Sequence, residues 1–238
     1  GPEVPNPFGL DLAPRKAIDV PHGQAVPLKY AIDMDNCIQC YKCVSACGRL
    51  DAIDFAQEPQ IVDLEVGTII VATGFESFDP AVIPEYGYGR YPNVITAMEL
   101  ERLANSAGPT VGRLIRPSDG KAPKSIAFVQ CAGSRDQNHL NYCSYICCMA
   151  SLKHVSYIRK NYPDAKVVIY YIDLRTPGRY DKFKKRILED DKLLLVKGKV
   201  AKIVEDKHKN PVVTVENAVT GIKSDETFDM VVLATGMQ

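Results

Sequence analysis

The sequence predicts an α/β fold, and three patterns carry that expectation. From Lys124 onward strand-like and helix-like segments alternate: a strand over 125–130, a helix over 141–161, a strand over 166–172, a helix over Asp181–Leu188, then short strands to the C-terminus. Such alternation builds βαβ units around a parallel sheet. Two continuous apolar runs, 68–73 and 230–235, each end in Ala-Thr-Gly. Runs of this kind suit strands buried on both faces, and the glycines that close them, Gly74 and Gly236, let the backbone approach a neighbouring strand or a bound dinucleotide. Gly74, Thr235 and Gly236 are therefore the candidate cofactor-contacting positions. Finally, Cys37, Cys40, Cys43 and Cys47 crowd into eleven residues and mark a separate small module.

Bulk properties narrow the class. With 238 residues, 46% of them hydrophobic, the chain can bury a substantial core. Lys plus Arg and Asp plus Glu are equal at 29 each, so no overall field favours nucleic acid. The apolar runs are strand-sized, far short of a bilayer span. The N-terminus carries no apolar stretch of the secretory kind, and eight cysteines without secretion point to a reducing compartment. The expected location is the cytoplasm.

In chain order, residues 1–28 hold prolines at 2, 5, 7, 14, 21 and 27 and read as an extended connector. A short strand over 29–33 leads into the cysteine run, and Leu50, Ile53 and Phe55 follow it as apolar cover, giving a module over 29–58. Three Cys-x-x-Cys-type steps of 3, 3 and 4 residues match a bacterial ferredoxin run, in which a short loop delivers thiolates to an iron-sulfur cluster from several directions. Buried thiols or a zinc knuckle are the alternatives, although zinc sites usually pair two Cys-x-x-Cys units across a longer span. Cys47 is the least determined ligand: in two-cluster ferredoxins the fourth cysteine serves the other cluster, and Gly48 stands where proline is usual.

Residues 59–80 are expected to supply the strand closing an incomplete domain, and 81–122, a stretch rich in prolines from its border at Pro80 to Pro117, a crossing between domains. Within the crossing, Thr96 and Glu99 predict a capping box. Gly87-Tyr88-Gly89-Arg90 reads as a tyrosine-rich turn in preference to a phosphate loop, since no strand precedes it.

The last domain, 123–238, is Rossmann-like in pattern but lacks Gly-x-Gly-x-x-Gly after its first strand. Cys131-Ala132-Gly133-Ser134-Arg135-Asp136 and Cys143, Cys147 and Cys148 stand there instead. The expected helix puts Cys143 and Cys147 on one face and turns Cys148 by about 100°. Four thiols on one loop could hold a second cluster. Alternatively Cys148 is a packed thiol and Cys143 with Cys147 a redox pair; His139 could replace one ligand. Asp173, Arg175 and Arg179 fall where a nucleotide ribose is read in such domains, but without the glycine loop solvated charges are the better reading. Lys182, Lys184, Lys185 and Arg186 make a basic face that is either solvated or a docking surface for an acidic partner.

The paired Ala-Thr-Gly strands resemble those of the pyridine-nucleotide disulfide oxidoreductase type, flavoproteins with two dinucleotide domains such as thioredoxin reductase and lipoamide dehydrogenase. The segment 131–136 with Tyr142-Cys143-Ser144 and Cys147-Cys148 resembles the heterodisulfide reductase A-subunit family. Lys16-Ala17-Ile18, Gln24-Ala25-Val26-Pro27, the cysteine run and 67–75 resemble it in the same order. Residues 174–180, Leu-Arg-Thr-Pro-Gly-Arg-Tyr, look closer to the A subunit of the quinone-interacting membrane-bound oxidoreductase. The resemblance implies a thioredoxin-reductase-like α/β flavoprotein with an inserted ferredoxin-like half-module. Its clusters, one or two of the [4Fe-4S] kind, would be held by Cys37, Cys40, Cys43 and Cys47 and by Cys131, Cys143, Cys147 and Cys148, with FAD in the full-length protein. The family's N-terminal glycine-rich FAD strand is missing, so the chain reads as a piece of a longer protein. The expected function is electron relay within a multi-subunit oxidoreductase of anaerobic energy metabolism. It would act with other redox subunits, a membrane-bound one among the expected docking partners. An NAD(P)-dependent disulfide oxidoreductase and a structural zinc module are the alternatives.

Overall fold

The computed structural model describes residues 1–20, 23–50 and 52–238, so Pro21 of the expected connector and Asp51 within the expected cysteine module lie outside the described residues. The chain forms two compact units, Gly1–Gly74 and Phe75–Gln238.

The first unit is small. Strands β1 (Glu3–Val4) and β2 (Arg15–Lys16) pair antiparallel, as do β3 (Ile18–Asp19) and β4 (Ala31–Ile32), so the proline-rich beginning is folded into short ladders and is not a plain connector. An Arg15–Asp33 ion pair ties the ladders together. The cysteine loop then enters a short helix, α1 (Lys42–Cys47).

The strand expected over 68–73 does not form here. Ile69, Ile70 and Val71 are 79%, 87% and 78% exposed, and among the described residues no strand pairs with them. A strand buried on both faces takes its order from ladder bonds to neighbours, so the apolar run alone cannot impose one. The C-terminal copy, in contrast, has neighbours on both sides.

That second copy is β12 (Met230–Thr235), at the heart of the second unit, where every one of its residues is buried. The unit's sheet contains β5 (Val94–Thr96), β12, β6 (Ser125–Ala132), β7 (Lys166–Tyr171) and β8 (Leu193–Lys197) in that order, all parallel. Residues 81–122, expected as a crossing, contribute β5 and helix α2 (Ala97–Ala104) to this unit. The reason is local: Val94 and Ile95 pair with the edge of β12, and the Thr96 capping box starts α2 at once. The 87–90 stretch is a turn following a single 3₁₀ turn at Pro84–Tyr86, as its tyrosine-rich reading requires.

Alternation along the strands divides the sheet's two faces. Ala127 and Val129 of β6 and Val168 and Tyr170 of β7 meet an antiparallel layer of β9 (Val200–Glu205), β10 (Pro211–Glu216) and β11 (Lys223–Thr227), packing on Val200, Ile203, Val213 and Val215. Phe128 points the other way and stacks on His154 of α3 (Cys147–Asn161), beside α2 and α4 (Asp181–Leu188). Asp229 fixes the register of the central pair: its carboxylate accepts from the backbone N–H groups of Lys124 (2.7 Å) and Ser125 (3.0 Å) and from Arg116 (2.8 Å).

The helix expected from residue 141 starts only at Cys147. Residues 135–142 are engaged in a reversed loop, with Arg135 N–H donating to Tyr142 O (3.1 Å), and Tyr145 adopts φ 58°, outside helical space. Cys143 therefore lies on a loop and does not share a helix face with Cys147.

Leu233 is fully buried in β12, between the helical and antiparallel layers. Leu233→Ala should cost about 2–5 kcal/mol. Loss of the Thr96 cap in Thr96→Ala should cost about 0.5–2 kcal/mol. Urea unfolding followed by circular dichroism checks both, and equal losses would contradict the placement of the core.

Candidate metal centre

The second cysteine set gathers at the C-terminal ends of β12, β6 and β7, the end of a parallel sheet where ligands bind in α/β folds. Cys131 comes from β6, and its left-handed backbone, φ 57°, re-aims the chain at the strand's end. Gly133 follows at φ 83°, where a Cβ would sit 2.1 Å from the Phe78 ring, so both conformation and space demand glycine. Cys143 arrives from the loop and its sulfur accepts from Tyr145 N–H (3.4 Å). The first turn of α3 supplies the other two. Cys147 Sγ donates toward Thr235 O of β12 (3.2 Å), and Cys148 Sγ toward Asp173 O beyond β7 (3.7 Å).

Electrostatics couples these thiols. Burial pushes Cys147 up to about 12, and the charges of Cys148, Cys131 and Cys143 add to it. Burial likewise raises Cys131, with Cys148 adding, and raises Cys148, with Cys143 contributing. Thiolates set so close and so dry repel one another, and a bound cationic metal relieves that repulsion. Among the described residues no group of three or more His, Cys, Asp or Glu side chains is arranged to hold a metal ion as it stands. Cys147 and Cys148 are instead turned onto backbone carbonyls, as protonated thiols would be. All eight cysteines are free.

Thr235 and Gly236 join this cluster of groups. A Cβ on Gly236 would meet Ser134 Oγ at 2.2 Å and Ser144 Oγ at 2.9 Å, so both hydroxyls close on that glycine. Gly74 is the last residue of the other unit, at φ 80°. His139 packs edge-on against Phe78, ring centroids 5.6 Å apart. Asp173 pairs with Arg135 (2.5 Å) and Arg175 (3.3 Å).

The first set is looser. Cys37 and Cys40 lie on the loop, turned by left-handed Gln39 and Tyr41, and Cys43 and Cys47 on α1. Hydrogen bonding from Lys42 N–H lowers the Cys40 thiol, which favours thiolate. Cys47 Sγ accepts from Ala52 N–H (3.4 Å). Tyr41 and Phe55 pack edge to face, centroids 5.2 Å apart, while Leu50 is 81% exposed and covers nothing.

Sequence reasoning missed a third group. Beside Cys147 and Thr235 lies a cavity of about 370 Å³ lined by Phe75, Met98, Ile146 and Ala234. Its polar wall is Glu101 on α2, whose Oε1 accepts from Lys153 Nζ (2.5 Å) and from buried His154 Nε2 (2.9 Å) of α3. The signal is a Lys-His pair following the cysteines on one helix, legible only once α2 is known to lie alongside.

The chain is an α/β protein that carries cysteines where dinucleotide-binding folds carry a glycine loop. The chain is 48% identical over 238 residues to the iron-sulfur A subunit of CoB–CoM heterodisulfide reductase from Methanocaldococcus jannaschii, covering 99% of this chain and 36% of that protein. To the A subunit of H2:CoB–CoM heterodisulfide,ferredoxin reductase from Methanothermobacter thermautotrophicus it is 44% identical, over 99% of this chain and 36% of that protein. The chain is thus similar over nearly its whole length to a segment of heterodisulfide reductase A subunits, and it spans about a third of the length of these relatives. No family model matches. Among solved structures, T. acidophilum thioredoxin reductase aligns over 69% of this chain and 42% of its own, at TM-score 0.40 and 13% identity. That likeness is too distant to bear on the site.

The Glu101 pair carries a pH signature. Burial opposes its charge, but hydrogen bonds from His154 and Lys153 prevail and hold the carboxyl at about 2, against an ordinary 4.5. A lowered carboxyl contributes stability in full above its unfolded value and loses it as pH falls toward the folded one. Wild type should therefore lose stability between about pH 4.5 and 2, and Glu101→Gln should flatten that limb in unfolding curves recorded across the range.

Proposed function

We propose that this chain is the electron-relaying portion of a multi-subunit flavo-iron-sulfur oxidoreductase in the cytoplasm, serving anaerobic energy metabolism. Cys131, Cys143, Cys147 and Cys148 hold one [4Fe-4S] cluster, and Cys37, Cys40, Cys43 and Cys47 a second. The observation that carries this reading is the convergence of four mutually repelling thiols at the strand ends where related folds bind a dinucleotide. In iron-sulfur clusters, iron and sulfide supply one-electron chemistry, while burial and hydrogen bonds to sulfur set the potential. This chain's contribution is to bring the thiols from β6, the loop and α3, to exclude water around Cys131 and Cys148, and to keep Ser134 and Ser144 close at Gly236. The full-length protein also carries FAD. The apolar cavity beside Cys147, with Lys153 as its cation and Thr235 in its wall, fits one edge of a flat heteroaromatic ring, and Gly236 follows Thr235 as the further candidate contact. A flavin passes electrons singly or in pairs, which suits it to meet a one-electron relay. The relatives are named for heterodisulfide, ferredoxin and hydrogen; the partners here are other redox subunits, with docking to a membrane-bound one included in the reading.

Anaerobically purified protein should contain about eight iron and as many sulfides per chain, as two four-iron clusters require. Cys143→Ser and Cys40→Ser should each remove about half, from different clusters. Zinc without sulfide would replace this reading with a structural metal module, and two thiols lost or gained on NAD(P)H addition would replace it with disulfide chemistry.

A further inference from the structure

Resting on the cluster reading for Cys131, Cys143, Cys147 and Cys148, the surface around that centre bears on how an outside protein would reach it. Of the four cysteines, Cys131 and Cys148 are buried, whereas Cys143 opens into a surface recess of about 570 Å³ shared with Arg135, Tyr142, Tyr145 and Arg175. Tyr142 and Tyr145 are 47% and 58% exposed, and the Arg175 guanidinium lies 5.7 Å from the Tyr145 ring centroid. The recess thus has aromatic and cationic walls around the thiol that faces outward.

The same chain continues from Arg175 into α4. Between residues 175 and 186 stand six cations, Arg175, Arg179, Lys182, Lys184, Lys185 and Arg186, against the single acid Asp181, in a chain whose charges balance overall. Four residues of chain from Arg175 to Arg179 span at most about 14 Å, and α4 begins two residues beyond Arg179, so the basic segment starts close to the recess. Among the described residues none of Arg179, Lys182, Lys184, Lys185 and Arg186 has a carboxylate within ion-pair distance, whereas Arg135 and Arg175 are held by Asp173. Arg186 is braced over the Phe183 ring at 5.5 Å, which keeps its charge on the surface.

We infer that the recess at Cys143 and the basic face of α4 together form the docking surface for an acidic one-electron carrier protein. Uncompensated cations beside a partly open redox centre steer an acidic partner into encounter, and exposed tyrosines supply contact area at small entropic cost. An anionic membrane is a poorer match, because the outward face of this two-turn helix is nearly all charged and offers little apolar surface to insert. With a cluster held by Cys131, Cys143, Cys147 and Cys148, the transfer would move one electron from the reduced centre of the carrier to that cluster, with no bond or proton moved.

The test uses the full-length protein with its clusters and, as probe, a pre-reduced acidic [2Fe-2S] ferredoxin in stopped flow. Wild-type transfer should slow as salt rises. Lys182→Glu/Lys185→Glu/Arg186→Glu should slow it about tenfold or more at low salt and abolish the salt dependence. Reduction by dithionite, which needs no docking, should stay unchanged, and the corresponding triple Gln variant should fall between. Wild-type rates and salt dependence in the Glu variant would overturn the inference. So would capture of the protein by phosphatidylglycerol vesicles with no response to ferredoxin. Absence of iron and sulfide from the Cys143 set, measured beforehand, would instead sink the cluster reading on which the surface depends, and the docking role with it.

Discussion

Parallel pairing of β12 with β6 is the constraint on which the second unit depends. Both strands are buried along almost their whole length, so their backbone groups can be satisfied only by each other and by β5 and β7. Asp229 sets where they begin together by accepting from the amides of Lys124, just before β6, and Ser125, its first residue. Once the starts are aligned, the ends are aligned as well. Cys131 and Thr235 then emerge side by side, and the turn into α3 has to pass over them. The position of the cysteine set is thereby a result of sheet register as much as of the cysteines themselves.

Around that register the polar groups are arranged by depth. The driest thiols belong to β6 and the first turn of α3, while the loop thiol meets water. The Glu101–Lys153–His154 group lies on the far side of Cys147, where α2 presses against α3. One half of the centre thus faces an apolar cavity and the other a charged surface, an asymmetry that suits a relay receiving electrons on one side and passing them on at the other.

Much of this was legible in the sequence. The alternation after Lys124 identified β6, β7 and α4 because apolar periodicity and burial agree there, and Thr96 with Glu99 marked the start of α2. The helix start at 141 was misplaced because apolar and cysteine periodicity persists through 143–147, whereas the backbone is diverted by loop pairing and by left-handed Tyr145. Residues 68–73 were read as a strand since their composition matches β12; composition does not supply a neighbouring strand. Ala97-Met98-Glu99-Leu100-Glu101 gave α2 but could not reveal that Glu101 meets Lys153 and His154, a contact between distant stretches of chain that only packing creates.

Cys147 and Cys148 are adjacent, and one turns toward the end of β12 while the other turns toward the chain beyond β7. With Cys131 on β6, the thiols touch the outlets of three neighbouring strands. A cluster bound to them would behave as a rivet through the sheet's upper edge, fastening the start of α3 to three strands already joined by their ladder bonds. Losing its inorganic core would therefore loosen that edge as well as break the electron path, and the cofactor would be as much a fastening as a conductor.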